Sequence, residues 1–316
     1  MVKIAIAGGN SNVAQELVDY LVSLNKNEIL ILSRKDASTP ASQGVTWVKT
    51  NYENTQELAG VLKGVHTVLS FIIEQDTETS PTQRRLIDAA IQAGVKRFAP
   101  SEWASSTFDG LSWYSYKLSI RAYLAEVNKD KKVLEYALFH PGLFTNYLTR
   151  PYSPMKYLQP LDNPIDFNNR RAIMVDGAEK AKITLTTVED FVVVIARALE
   201  YEGEWPVNSG IQGTSLTLGE LISIGEKVRG APFKVERVRK ADFEAGTWQT
   251  SWVPTIDHPS IPRDQVEAFA KPATAGICMG FANEAFHTLP VWNQLLPDYG
   301  FKQAGEFLEE VWKGKP

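Results

Sequence analysis

Cysteine is nearly absent. The one thiol, Cys278, can form neither an intramolecular disulfide nor a cysteine metal cage. Histidine is scarce too. His66, His140, His258 and His287 show no ligand spacing to one another or to acids, so no metal site is expected. No stretch approaches the roughly 20 apolar residues that cross a bilayer. The amino-terminal apolar run is a short strand, without the basic lead-in and cleavage site of a signal peptide. The 33 basic residues are scattered among 37 acidic ones, for a formal charge of −4, and leave no footprint for nucleic acid or an anionic membrane. There is no Gly-x-Ser-x-Gly elbow and no Gly-x-x-x-x-Gly-Lys-Ser/Thr loop, which argues against a serine hydrolase of that design and against a P-loop NTPase. Internal repeats and low-complexity tracts are also missing. The expectation is a cytoplasmic, enzyme-sized protein of 316 residues, monomer or homodimer, with a small-molecule partner.

What is present begins at the first strand. Val2–Ala7 runs into the small-residue turn Gly8-Gly9-Asn10-Ser11-Asn12-Val13-Ala14, then an amphipathic helix to about Ser23, then a strand ending Ser33-Arg34-Lys35. A helix N-terminus offers unpaired, partly positive N–H groups, and small residues let a pyrophosphate approach the backbone. Gly8, Asn10, Ser11, Asn12 and Val13 are therefore the candidate phosphate cradle. Ser11 and Ala14 stand where the fingerprint usually carries its later glycines. Where an NAD site places an acid, this chain has Arg34 and Lys35, which suit the 2′-phosphate of NADP(H). The plain alternative is a solvated strand end with Asp36 as counter-charge.

Strands and helices alternate up to about residue 145, a pattern that predicts an α/β, Rossmann-type doubly wound parallel sheet. The strands are Glu28–Ser33, Gly44–Tyr52, His66–Ile73, Val95–Ser101 and Val133–Phe139. Helices fall near Thr55–Leu62, Pro81–Ala93 (after a Ser80 cap) and Trp113–Val127. Residues 1–150 are expected to be the NAD(P)-binding domain, its sheet completed by elements within 182–212, and 151–316 a smaller, mainly substrate-binding α/β region. There, Thr186-Thr187-Val188-Glu189 and Thr217-Leu218-Gly219-Glu220 read as capping boxes opening Val188–Glu200 and a helix that stops at Gly230. Phe233–Val238 reads as a strand, and one last helix is expected in the tail from Trp292.

The catalytic candidate lies on the helix Trp113–Val127. Its apolar stripe runs through Trp113, Tyr116, Ile120, Leu124 and Val127, and Lys117 falls on the same stripe. Burial of an ammonium, with Arg121 one turn away, is the profile of a lysine whose pKa is lowered for catalysis. The alternative is a snorkelling lysine whose head reaches water.

Several segments together carry a resemblance: the first turn, Ser33-Arg34-Lys35, Arg97-Phe98-Ala99-Pro100-Ser101-Glu102-Trp103, Lys117-Leu118-Ser119-Ile120-Arg121, His140-Pro141-Gly142-Leu143-Phe144 and Thr187-Val188-Glu189-Asp190. In order and spacing they resemble the NmrA-like and isoflavone-reductase-like branch of the atypical short-chain dehydrogenases. The resemblance implies a Rossmann fold, NADPH, and reduction of an aromatic or conjugated secondary metabolite, with Lys117 as the family lysine. It would hydrogen-bond the nicotinamide ribose and act as acid or base. Ordinary short-chain dehydrogenases place a tyrosine four residues before that lysine, where this chain has Trp113.

Ligands of such sheets bind beyond the carboxyl ends of the strands. That draws in Phe71 as a cofactor wall, and Ser101, Glu102, Trp103, Tyr114, His140, Phe144 and Asn146 as substrate contacts, though local caps and core packing account for such residues as readily. Trp248, Trp252, Phe281, Phe286 and Trp292 would suit a flat substrate or form the core of their region. The leading expectation is an NADPH-dependent reductase of a hydrophobic carbonyl or conjugated metabolite. A redox-neutral isomerase or cyclase on the same scaffold, or a non-catalytic NADP-sensing regulator, are the alternatives.

Overall fold

The computed structural model describes residues 2–36, 44–74, 76, 79–257 and 261–316; His258 lies outside them. The elements are β1 (Val2–Ala7), α1 (Asn12–Leu24), β2 (Asn27–Ser33), β3 (Val45–Lys49), α2 (Thr55–Val61), β4 (Thr67–Ser70), α3 (Pro81–Ala93), β5 (Arg97–Ala99), α4 (Ser115–Val127) and β6 (Glu135–Tyr136). There follow β7 (Leu138–His140), β8 (Leu143–Phe144), β9 (Ile165–Asp166), β10 (Arg171–Val175), β11 (Lys182–Thr186), α5 (Val188–Glu200), β12 (Asn208–Gly210) and β13 (Thr214–Thr217). The chain ends with α6 (Leu218–Arg229), β14 (Lys234–Val238), α7 (Lys240–Glu244), α8 (Val266–Ala282), α9 (Val291–Leu295) and α10 (Ala304–Trp312).

Six parallel strands pair in the order β3-β2-β1-β4-β5-β6. The order reverses between β1 and β4, and a doubly wound sheet opens its ligand crevice at that point. Ala5 and Ala7 of β1 and Leu30 and Leu32 of β2 pack in one core with Leu58 of α2, Leu86 and Ile87 of α3, Phe98 of β5, and Ile120 and Leu124 of α4, while Ile4, Ile6, Ile29 and Ile31 are buried on the other face. Burial on both faces explains why these strands read as continuous apolar runs rather than as alternation.

The chain divides into two compact units. One holds Met1–Trp103, Trp113–Phe139 and Val192–Ser209, and the other Ala104–Ser112, His140–Phe191 and Gly210–Pro316. This partition is discontinuous, unlike a single break at residue 150. No strand from 182–212 joins the six-stranded sheet; β12 pairs with β7 in a two-stranded arrangement. Within the first unit, Trp205 is buried edge-on against Phe139 at 5.4 Å, and the Arg97 guanidinium donates to the carbonyls of Tyr201 and Gly203.

The second unit carries two three-stranded sheets, β14-β10-β9 and β13-β11-β8. Its helix α8 contains Pro272 among small residues, which hid it from a reading by apolar period. Cys278 on that helix is buried, and burial pushes its thiol pKa up. Of the two readings left open for the aromatic residues, four follow the core one: Trp248, Phe281, Phe286 and Trp292 are all buried. Trp252 lies under Arg171 at 3.9 Å. The tail from Trp292 holds two short helices, α9 and α10, rather than one.

Three local readings are corrected. Thr217 and Glu220 do form a capping box at α6, whereas at α5 the capping threonine is Thr187 rather than Thr186. Thr186 Oγ1 donates to Ile211 O, and it is Thr187 Oγ1 that accepts from Asp190 N at 3.0 Å. Ser80 has φ +48° and makes no side-chain cap at α3; its hydroxyl donates to Tyr116 O. The helix read as Trp113–Val127 starts at Ser115, after a 3₁₀ turn over Ser112–Tyr114 that leaves Trp113 half-exposed.

Candidate active site

The dinucleotide-type turn is built from long-range bonds as well as from glycine. Gly8 has φ +74°, and a Cβ there would lie 3.0 Å from the Phe71 carbonyl, so only glycine lets the turns after β1 and β4 approach this closely. Gly8 N–H donates to Leu32 O at 3.0 Å and to the Tyr52 hydroxyl at 3.2 Å. Tyr52, itself at φ +61°, passes its proton to Leu32 O at 2.7 Å. Burial pushes its pKa up to about 12, so it stays a phenol and a donor. Ser33 Oγ accepts from Asn10 Nδ2 at 2.6 Å and from Lys35 N at 3.0 Å, tying the turn to the end of β2.

Ser11 caps α1, accepting from Ala14 N at 3.4 Å, a bond that does not use its hydroxyl proton. The N–H groups of Asn12 and Val13 stand in the first turn of α1, where the helix itself supplies no carbonyl to accept from them. Arg34 and Lys35, which follow the end of β2, are exposed. The counter-charge first assigned to them is engaged elsewhere: Asp36 holds Lys49 through both carboxylate oxygens at 2.9 Å. This donor set fits a dinucleotide with a phosphorylated ribose: two amides and a hydroxyl for the pyrophosphate, and two cations at the strand end for a further phosphate.

The second cluster lies at the carboxyl ends of β4 and β5. Lys117 is 4 % exposed, and its ammonium donates to the carbonyl of Glu102. The Tyr114 ring covers it, with its centroid 4.1 Å from Nζ, and Tyr116 lies at 5.8 Å. Burial lowers the Lys117 pKa to about 8; the Glu102 carboxylate opposes that shift and Arg121 adds to it. A pKa near neutrality gives a group that can both hold and release a proton under working conditions. The snorkelling alternative does not apply, because this head does not reach water.

The other expected residues divide by what their side chains do. Trp103, at φ +38°, donates its indole N–H to Ser70 O at 2.6 Å and stacks on Phe71 at 4.6 Å. The pair makes an aromatic wall at the sheet edge. Ser101 N donates to Gln83 Oε1, and its hydroxyl bonds the Tyr116 phenol. Glu102 was expected to meet substrate, but it is 1 % exposed and its carboxylate is gripped by Arg121 at 3.1 Å and 2.6 Å. Asn146 is engaged in a similar way: its Oδ1 accepts from Val188 N at 2.9 Å and its Nδ2 donates to Glu189 at 3.1 Å, so it caps α5. His140 is buried at the end of β7, and Phe144 is buried edge-on against Phe191. Asn146, His140 and Phe144 belong to the second unit, whereas Lys117, Tyr114, Ser101, Trp103 and Phe71 belong to the first.

Sequence reasoning missed Ser70, Glu74 and Gln83, a buried polar set behind that edge. Gln83 Oε1 accepts from Ser70 Oγ and Ser101 N, while Gln83 N donates to Glu74 at 2.6 Å, closing the start of α3 in place of the absent Ser80 cap. Burial raises the Glu74 pKa. No local pattern marks these contacts, which join residues up to 18 positions apart. No metal-binding group of acids, histidines and cysteines occurs among the described residues.

The chain matches the NmrA-like family over residues 2–256. It belongs to that family. This NmrA-like chain is 28 % identical over 245 residues to Oxidoreductase BOA1 of Botryotinia fuckeliana (strain B05.10), covering 76 % of this chain and 80 % of that protein. Its fold is that of the NADPH-dependent quinone oxidoreductase QOR2 of Escherichia coli, solved with NADPH, at TM-score 0.67 and 19 % identity over 98 % of this chain and 100 % of that one. An isoflavone reductase structure superposes at TM-score 0.68 and 18 % identity, covering 98 % of each chain. No helix among the described residues is long and apolar enough to cross a membrane.

Proposed function

We propose that this NmrA-like protein is an NADPH-dependent reductase of a small, hydrophobic aromatic or conjugated carbonyl compound. The reading is carried by Lys117: a buried lysine with its pKa lowered to about 8, at the carboxyl edge of a sheet whose first turn is built to hold a dinucleotide. The oxidoreductase names of its relatives support the same chemistry. When bound, NADPH supplies the hydride. The N–H groups of Asn12 and Val13 and the Ser11 hydroxyl would hold the pyrophosphate, Arg34 and Lys35 the 2′-phosphate, and Phe71 would wall the cofactor. Lys117 would bond the nicotinamide ribose and give its proton to the carbonyl oxygen as charge develops there, then recover one after the product leaves and water enters its place. The Trp103–Phe71 stack and the Tyr114 ring supply apolar contact for the substrate.

Trp113 favours a second reading, a redox-neutral isomerase or cyclase, because an indole cannot serve as the proton donor that the tyrosine of ordinary short-chain dehydrogenases provides. One titration separates the two. NADPH, NADP⁺ and NADH are titrated into purified protein and into Arg34→Ala, with fluorescence and heat as readouts. Micromolar NADPH binding, weakened about tenfold or more in the variant and followed by NADPH consumption with carbonyl substrates, is the expected result. If no dinucleotide binds, the reductase reading fails.

A further inference from the structure

Lys117 and Arg121 sit one helical turn apart on α4, and both grip a single residue of another segment. Lys117 takes the backbone carbonyl of Glu102, while Arg121 takes its carboxylate, Nε to Oε1 at 3.1 Å and a terminal nitrogen to Oε2 at 2.6 Å. The spacing of four residues brings the two cations onto one face. The two-point fork fixes the carboxylate in direction as well as distance, as a single contact does not. Glu102 is 1 % exposed and held by that fork, so its carboxylate has a structural partner where a substrate contact was expected.

From this arrangement we propose that Glu102 and Arg121 are a positioning pair for Lys117. The fork locks residue 102 so that its carbonyl holds the lysine ammonium at one place on the sheet edge. The proposal rests on the reading of Lys117 as the proton-handling group. A free lysine has four rotatable bonds, and misplacement of a catalytic group by about 1 Å costs roughly a hundredfold in rate. Anchoring the head on a carbonyl, and anchoring that carbonyl through its own side chain, removes this freedom.

The groups around Lys117 determine how the pair can be tested. Facing it are Glu102 from the segment after β5, Arg121 from α4, and the rings of Tyr114 and Tyr116, with Glu74 behind Tyr116. Burial holds both phenols well above neutrality, so neither ionises in the working range. Glu102→Gln keeps the shape, the backbone carbonyl and one acceptor for Arg121 but removes the negative charge. The Lys117 titration should then fall by roughly one unit. Arg121→Lys keeps the positive charge but cannot fork, and should lower kcat about tenfold or more with KM for NADPH nearly unchanged.

The experiment compares wild type, Lys117→Met, Glu102→Gln and Arg121→Lys. It reads kcat and KM across pH and, independently of turnover, the Lys117 titration by NMR of isotopically labelled lysine, with the peak assigned by its loss in Lys117→Met. A downward shift in Glu102→Gln together with a kcat-only loss in Arg121→Lys supports the pair. An unmoved titration and unchanged kcat in folded Glu102→Gln and Arg121→Lys, with Lys117→Met inactive, overturns the pair and leaves the role of Lys117 standing. Full activity in Lys117→Met overturns the underlying reading instead. Should Arg121→Lys not fold, Glu102→Gln decides the matter alone.

Discussion

At the scale of the residue, Lys117 is held against its own solvation. Its pKa falls from 10.5 to about 8, so between those values the unfolded chain binds a proton that the folded one does not. Stability therefore rises with pH across that window, and the full penalty is present below about 8. Such a shift corresponds to roughly 3 kcal/mol, partly offset by about 1 kcal/mol for the hydrogen bond to the Glu102 carbonyl. Lys117→Met is accordingly expected to be more stable at pH 7 by about 2 kcal/mol and to lose about a hundredfold or more in kcat. Thermal unfolding at pH 7 and pH 10 checks the first half, because the gain should shrink at the higher pH. A variant that is both inactive and less stable at pH 7 would show that Lys117 is held for packing rather than chemistry.

At the scale of the element, helix starts decide which polar side chains are left for a ligand. Amphipathic pattern located α1, local start and stop residues located α3, α5 and α6, and the Thr217 box formed as read, since a cap depends on residues three apart. Caps supplied from a distance escaped that reading. Asn146 closes α5 across 42 positions, and Glu74 closes α3 across nine. Asn146→Ala would leave the N–H of Val188 unpaired in a buried setting and should cost about 2 kcal/mol. Denaturant titration would show that loss, while KM for substrate should change little; a large change in KM with unchanged stability would return Asn146 to the substrate site.

At the scale of the whole molecule, the sheet unit is not one run of sequence. It needs Val192–Ser209 as well as the first 139 residues less 104–112. Trp205 fills the space beside Phe139, and the Arg97 guanidinium, salt-bridged to Glu135 at 2.8 Å, finds carbonyl acceptors at Tyr201 and Gly203. A fragment of residues 1–150 would expose Phe139 and leave a half-satisfied buried cation. It should fail to give a cooperative unfolding transition, followed by circular dichroism, where the full chain gives one. A fragment that melts cooperatively at the same temperature as the full chain would refute that dependence.

The sequence alone determined the parallel α/β class, the small-residue turn between β1 and α1, the cation pair Arg34-Lys35 and the inward face of Lys117. Each is a property of neighbours in the chain: apolar runs, small residues at a strand-to-helix turn, three- and four-residue steps on a helix. Tertiary structure decided what those residues meet. The turn at Gly8 is completed by Tyr52, Asp36 is bound by Lys49, and the carboxylate of Glu102 lies in the fork of Arg121. No period or spacing encodes these pairings, because buried polar groups take whichever partners the packed sheet brings within hydrogen-bond distance, and those partners lie 13 to 44 residues away.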